Sequence, residues 1–369
     1  MRILLVTPFL PPKIGGIERH SENFVAEFSK ESKNRITVLT SRGLNDFERN
    51  DYPSNVNVIT LASIILFGRL PIPIPTYGNV KKFAQLAKID FDRLLIQSHL
   101  FPISTLSAMV FTAIPTRIWI NHSSGFIVVN QSVIQKIEMA YEKFQLAIMA
   151  KRVNRFIGVS EESANWASIL TGKTFEFISN GVNSNLISPR STFPTEFGKL
   201  RFVYVSRLIP GKGGIETLQI FKKLMGKLDR DYEIMLTVIG AGTELTLMED
   251  FARNNHLPVT FVGAIEHQRV IELIKTADIF LYPSNYPEGL PTVILESIAS
   301  GLLIATTVTA GLRLFILDSS IVQSSAEELP EKINDTLKNI PQLIAKIESS
   351  QKILSDRYTW DSIMSDFLK

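Results

Sequence analysis

The chain has 369 residues, 45% of them hydrophobic and 20% charged. That balance excludes a disordered, collagen-like or low-complexity polymer, and the length predicts two or three domains at roughly 100–200 residues each. Cysteine is absent, which rules out a disulfide framework, a thiolate zinc site and a thiol nucleophile, and the net charge of +3 is too small an excess to argue for nucleic acid. The charge is uneven, however: residues 1–185 hold 20 basic and 14 acidic side chains and residues 186–369 hold 19 and 22, so the halves are expected to meet different partners.

The chain opens on Arg2–Val6, apolar but stopped by Thr7-Pro8, too short for a signal-peptide core and suited to a buried strand. Further strands are predicted at Ile36–Leu39, Val56–Leu61, Leu94–Gln97, Arg117–Asn121, Arg155–Val159 and Phe175–Ile178, with helices near 18–30, 79–88, 131–152 and 161–170. The apolar run Ile59–Phe67 falls well short of the roughly 18 residues needed to span a bilayer. Strands apolar on both faces and separated by helices predict a doubly wound parallel sheet over residues 1–182. A polar, Pro-containing linker follows at 183–199. A second α/β series over 200–345 then has strands at Phe202–Val205, Ile234–Ile239, Thr260–Val262, Ile279–Tyr282, Leu303–Thr306 and Ile321–Gln323. Its helices are expected near 214–228, 243–255, 267–275, 291–300 and 325–338, followed by a helical tail over 346–369. The predicted fold class is therefore α/β with two Rossmann-like halves, an architecture that binds ligands at the carboxyl ends of its strands and that would leave an interdomain cleft.

Several residues stand where such ligands bind. Gly15-Gly16 follows the first strand and opens a helix, which suits either a tight turn or a backbone pressed close to a ligand. Arg207 and Lys212 flank the turn after the first strand of the second series and are either solvated loop charges or a clamp on one polyanion. In Glu288-Gly289-Leu290-Pro291-Thr292 through Glu296, Pro291 suits a first helical turn whose amides would favour a phosphate. A carboxylate beside a diphosphate would be repelled, so Glu288 and Glu296 fit sugar hydroxyls better, or else a capping charge and a solvated helix face. Of the five histidines, His20, His99, His122, His256 and His267, none are spaced as a zinc site. His99 and His122 follow predicted strands and are either structural or ligand-facing. Asp90-Phe91-Asp92 precedes its strand, on the wrong edge for a metal site. Gly240-Ala241-Gly242 lacks the third glycine of a dinucleotide fingerprint, with Leu245 in its place, so the case for an NAD-dependent oxidoreductase is weak.

Taken in order, these residues resemble glycosyltransferase family 4, retaining nucleotide-sugar-dependent enzymes of the GT-B fold. The resemblance runs through Gly15-Gly16, Asn180-Gly181-Val182, Ser206-Arg207-Leu208 with Lys212-Gly213, Phe261-Val262-Gly263, the pair Glu288 and Glu296 with seven residues between, and Tyr358-Thr359-Trp360. It implies that Arg207 and Lys212 bind the donor diphosphate and stabilise its charge as the glycosyl bond breaks. Gly16, with Gly15 before it, would approach the diphosphate or sugar, and His122 would lie near the sugar. Glu288 would hold sugar hydroxyls, the segment Gly289, Leu290, Pro291 and Thr292 would meet the phosphates, and Glu296 the ribose. Val262 and Ile265 would border the base. It also implies that the leaving phosphate assists deprotonation of the acceptor, that no metal or other cofactor is needed, and that the last helix, starting at Tyr358-Thr359-Trp360, crosses back onto the first domain. One departure is that Thr309-Ala310-Gly311-Leu312-Arg313-Leu314 replaces the family's Gly-Gly turn and Pro-Glu.

The expected partners are a UDP- or GDP-sugar donor and a glycan or lipid-linked acceptor of cell-surface polysaccharide, lipopolysaccharide or glycolipid synthesis, with no nucleic acid. The expected location is cytoplasmic. Lys136, Lys143, Lys151, Arg152 and Arg155 are interspersed with Ile134, Ile137, Phe144, Leu146 and Ile148, and Ile64–Pro75 reads as an apolar loop. These suit peripheral contact with an anionic membrane, or a core helix with a solvated face. The alternative function is a non-catalytic GT-B protein that binds a nucleotide sugar.

Overall fold

The computed structural model describes residues 1–10, 15–43, 52–66, 70–125, 133–190, 192–194, 198–228, 231–285, 290–307 and 320–369. They form two units, residues 1–181 with 363–369, and residues 182–362.

The first unit is built on a sheet ordered β4-β3-β2-β1-β5-β6-β7-β8. Its strands are β1 (Arg2–Thr7), β2 (Arg35–Arg42), β3 (Val56–Leu66), β4 (Leu70–Pro73), β5 (Arg93–Gln97), β6 (Thr116–Asn121), β7 (Arg155–Gly158) and β8 (Glu176–Phe177). All neighbours pair in parallel except β3 and β4. Ile3, Leu4, Leu5 and Val6 of β1 are completely buried, as a central strand covered on both faces requires. Helices α1 (Gly16–Phe28), α2 (Tyr77–Leu86), α3 (Pro102–Val110), α4 (Val133–Arg152) and α5 (Glu161–Thr171) connect them.

Two local expectations fail here. The Ile64–Pro75 stretch is not a loop, because β3 runs on to Leu66 and pairs antiparallel with β4, Ser63 opposite Pro73. Proline is tolerated because β4 is the sheet's edge. Helix α3 has no charged residue and no polar face, so periodicity could not reveal it; burial of Ile103, Ser104, Thr105, Ser107 and Ala108 overrides its weak propensity.

The second unit has a sheet ordered β11-β10-β9-β12-β13-β14, all parallel. The strands are β9 (Lys199–Val205), β10 (Glu233–Ile239), β11 (Val259–Gly263), β12 (Ile279–Tyr282), β13 (Leu303–Thr306) and β14 (Ile321–Gln323). Helices α6 (Gly214–Leu228), α7 (Leu245–Asn254), α8 (His267–Lys275), α9 (Thr292–Ala299), α10 (Leu329–Leu337), α11 (Ile340–Arg357) and α12 (Trp360–Phe367) complete the chain. The expected linker is packed into this unit: Arg190 pairs with Asp278, and Phe193 is buried in the core with Phe202, Phe221 and Phe280.

The tail comprises two helices, the second beginning at Trp360, within the run where the resemblance puts the start of the last helix. It breaks at Tyr358-Thr359 because Val182 N–H donates to the Tyr358 carbonyl at 2.8 Å and Trp360 N–H donates to the Val182 carbonyl at 3.0 Å. Residues 363–369 belong to the first unit, where the Arg155 guanidinium donates to the carbonyls of Asp366 and Phe367 at 2.7 and 3.0 Å.

Both sheets tie their central strands together in the same way. Asp92, just before β5, accepts the Arg2 amide of β1 at 2.6 Å. Asp278, just before β12, accepts the Arg201 amide of β9 at 2.7 Å. Asp92 of the Asp90-Phe91-Asp92 run thus has a structural partner at the amino edge of the sheet.

Candidate functional site

In the second unit, the carboxyl end of β9 leads into the turn that carries Arg207 and Lys212. Arg207 is exposed, but Lys212 is buried, with only 3% of its surface accessible. The reading of two solvated charges therefore fails for Lys212. Burial first, and then the Arg207 charge, lower its ammonium pKa to about 7. The turn is held from below: the Tyr204 hydroxyl donates to the Lys212 carbonyl at 2.9 Å. It is also held from the side, where Asn285 N–H donates to the Gly211 carbonyl at 2.9 Å. Gly213 has φ +85°, and a Cβ there would lie 2.3 Å from the Pro283 carbonyl oxygen. Only glycine lets the Lys212 turn lie against the 283–285 segment that leads toward α9.

The Gly240-Ala241-Gly242 turn proves to be a packing device. A Cβ at Gly240 would lie 1.8 Å from the Ser206 carbonyl oxygen, and one at Gly242 would lie 2.1 Å from that of Leu208. The two glycines let the turn after β10 support the Arg207 turn, which accounts for them without a dinucleotide.

Pro291 caps α9, so the helix starts at Thr292, one residue later than expected. Among the described residues no side chain caps its amino end, and such leading amides suit water or an anion. The Leu290 side chain is buried in the core. Glu296 is not on a solvated face: it is 7% exposed, and its Oε1 lies 2.7 Å from Nε2 of His267, the first residue of α8. A carboxylate only accepts, so that nitrogen carries the proton. The sequence did not single out His267 for this task. Val262, near the end of β11, and Ile265, between β11 and α8, are half-buried against the core.

In the first unit, Gly15 caps α1, and a Cβ at Gly16 would meet nothing within 4 Å, so packing does not require glycine there. His122 follows β6 and is half-buried, with Nε2 2.7 Å from Oε1 of Gln97 at the end of β5. Burial lowers its pKa to about 3. Gln97 Nε2 in turn lies 3.0 Å from Nδ1 of His20 on α1. His99 is completely buried, its Nε2 3.0 Å from Oε1 of Glu142, in keeping with a structural histidine.

Glu288 and Gly289 lie outside the described residues, as does the Thr309–Leu314 departure. Among the described residues, no group of three or more His, Asp or Glu side chains is arranged to hold a metal ion.

Two parallel-sheet α/β units, the second with a basic turn and an uncapped helix end at the carboxyl edge of its sheet, define the GT-B class of glycosyltransferase. The family model "Glycosyltransferase Family 4" matches residues 14–186, and "Glycosyl transferases group 1" matches residues 190–352. The chain belongs to the family 4 glycosyltransferases. It is 21% identical to an uncharacterized glycosyltransferase of Methanocaldococcus jannaschii, over all of this chain and 97% of that one. It is 22% identical to the GDP-mannose-dependent monoacylated alpha-(1-6)-phosphatidylinositol monomannoside mannosyltransferase of Corynebacterium glutamicum, over 97% of each. Among solved structures, Anabaena HepE in complex with UDP superimposes with a TM-score of 0.72 at 16% identity, covering all of this chain and 98% of that one.

Proposed function

We propose that this glycosyltransferase moves a hexose from a UDP- or GDP-sugar to a lipid-linked or glycan acceptor, with retention of configuration, in cell-surface polysaccharide or glycolipid synthesis. One observation carries the reading. The chain buries the Lys212 ammonium beside the Arg207 guanidinium at the carboxyl end of β9, in a turn bonded to the segment before α9. Burial and a neighbouring cation disfavour the ammonium form, and a bound polyanion favours it. A diphosphate is the polyanion that such a fork, point charge and helix tip fit.

On this reading Arg207 and Lys212 stabilise the leaving diphosphate, and the amides of the Gly289–Thr292 segment share its charge. Glu288 holds sugar hydroxyls. Glu296 has one oxygen bonded to His267, and it meets the ribose. Val262 and Ile265 border the base. In the first unit, Gly15-Gly16 gives close backbone approach to the donor, and His122 contacts the sugar. The leaving phosphate serves as the base toward the acceptor, so the scheme calls for no metal.

The phosphatidylinositol monomannoside specificity of the Corynebacterium relative supports a phospholipid-linked acceptor. So does α4, where Ile137, Tyr141 and Phe144 are exposed along one stripe with Lys136 and Lys143 beside it. The basic-apolar patch is smaller than the sequence suggests: Leu146 is buried, Arg155 is bound to Glu176, and the Ile134 side chain lies outside those described. Among the described residues no helix is long and apolar enough to cross a membrane. A cytoplasmic protein resting on the anionic membrane face is the location that fits an acceptor of this kind.

The test is release of nucleoside diphosphate from a panel of UDP- and GDP-sugars, with membrane lipid extract as acceptor. Wild type is expected to turn over at least one donor, with EDTA leaving the rate unchanged and the product keeping the donor's anomeric configuration. Lys212→Ala is expected to lose turnover. Wild-type rates from Lys212→Ala would overturn the site.

A further inference from the structure

Buried Gln97 and His20 and half-buried His122 form a relay in the first unit, of which only His122 has an assigned role. Gln97, at the carboxyl end of β5, is completely buried. Its amide Nε2 donates to Nδ1 of His20 at 3.0 Å, and its Oε1 accepts from Nε2 of His122 at 2.7 Å. The two imidazoles meet edge-to-face with centroids 5.0 Å apart. Phe367 packs edge-on against His20 at 5.5 Å, and Phe24 against Phe367 at 6.0 Å.

A primary amide keeps its donor and acceptor on different atoms, so it dictates what each ring may present to it. His20 must offer a bare Nδ1. His122 must offer a protonated Nε2. Burial holds both rings neutral: the His20 pKa falls well below its ordinary value, by burial first and then by His122, and that of His122 falls to about 3. A neutral imidazole protonated on Nε2 has a lone pair on Nδ1. Turning the amide over would invert both tautomers and make His122 Nδ1 a donor.

We propose that Gln97 is a positioning residue that fixes His122 as the Nε2-protonated tautomer, and so makes its Nδ1 a hydrogen-bond acceptor for a hydroxyl of the transferred sugar. The proposal rests on the reading above that His122 meets that sugar. An acceptor nitrogen selects for a hydroxyl and against a deoxy position, because the site's polar group is otherwise left unpaired.

The first measurement needs no substrate and no variant. Long-range ¹⁵N–¹H correlation of the histidine rings in the wild-type protein is expected to show His122 protonated at Nε2. Protonation at Nδ1 overturns the proposal. The second uses UDP-glucose and GDP-mannose as donors in the transfer assay. Gln97→Leu is expected to lower kcat/KM about 10–100-fold, the scale at which outer-shell partners of ligating histidines act. The double variant Gln97→Leu/His122→Ala should be no slower than His122→Ala alone, since two residues acting through one contact are not additive. Additive losses would make Gln97 merely structural and overturn the relay's role. Wild-type rates from His122→Ala would remove His122 from the sugar and this proposal with it, while leaving the diphosphate assignment, which Lys212→Ala tests, intact.

Discussion

The Nε2 of His267 lies 2.7 Å from Oε1 of Glu296, joining the first residue of α8 to the middle of α9. Glu296 is 7% exposed, so the hydrogen bond satisfies a carboxylate with little access to water. It occupies one oxygen; on the proposed reading the other meets the donor ribose. His267→Ala should therefore cost about 1–3 kcal/mol of stability, the penalty for stranding a buried acceptor. It should also raise the donor KM more than it lowers kcat. His267→Gln, which keeps a donor, should recover most of both. Thermal melts and donor titrations of the two variants check this; equal KM values for Ala and wild type would remove His267 from the donor site.

Lys212 makes donor binding and stability respond to pH in opposite directions. Its folded-state pKa of about 7 lies below its ordinary 10.5, so between those values the unfolded chain binds more protons than the folded one. Stability then rises with pH across that window, and the burial cost is full below about pH 7. A diphosphate favours the ammonium form. Its affinity should be full below that pH and weaken above it, by up to tenfold per unit, with uptake of a proton on binding. Isothermal titration of UDP and GDP in buffers of different ionisation enthalpy measures this. Lys212→Met should abolish this pH dependence of binding.

Gly213 has both a left-handed φ of +85° and a Cβ position 2.3 Å from the Pro283 carbonyl oxygen. Gly213→Ala should cost about 1–3 kcal/mol in backbone strain, with more from the clash. Because the Lys212 turn would be pushed away from the 283–285 segment, activity should fall further than stability at temperatures where the variant remains folded. By contrast, Gly226→Ala, where a Cβ meets nothing within 4 Å in the last turn of α6, should be neutral or slightly stabilising. Paired melting curves and rates distinguish the two.

The α4 stripe gives a test of membrane contact that leaves the donor site untouched. Ile137 and Phe144 are 64% and 63% exposed. Ile137→Asp/Phe144→Asp should leave the melting temperature within about 2 °C, since surface changes are usually small. It should reduce co-sedimentation with phosphatidylglycerol-containing vesicles at least several-fold. Equal binding of wild type and variant to anionic vesicles would exclude α4 as the contact.

Much of the fold was legible in the sequence because its signals are local. Runs such as Ile3–Val6 and Phe202–Val205, apolar on both faces, can only be central strands of a covered sheet, and glycine and proline marked the turns at Gly15-Gly16 and Pro291. The order of these motifs sufficed for the family. Elements without a local signal were missed. Helix α3 has no charged residue, and β4 is a proline-bearing edge strand.

What the residues by themselves determined was which chemistry was available: Arg207 and Lys212 for an anion, Glu296 for hydroxyls, His122 at the end of a strand. Whether Lys212 was solvated or buried, and which side chain faced which, was decided by tertiary structure. Sheet order places the ends of β1, β5 and β6 side by side, which joins His20 and Gln97 across 77 residues of chain; the packing of α8 beside α9 joins His267 and Glu296 across 29. Desolvation and hydrogen bonding act over a few ångströms of space, whatever the separation along the chain. The sequence therefore listed the groups, while the fold set their charge, tautomer and direction.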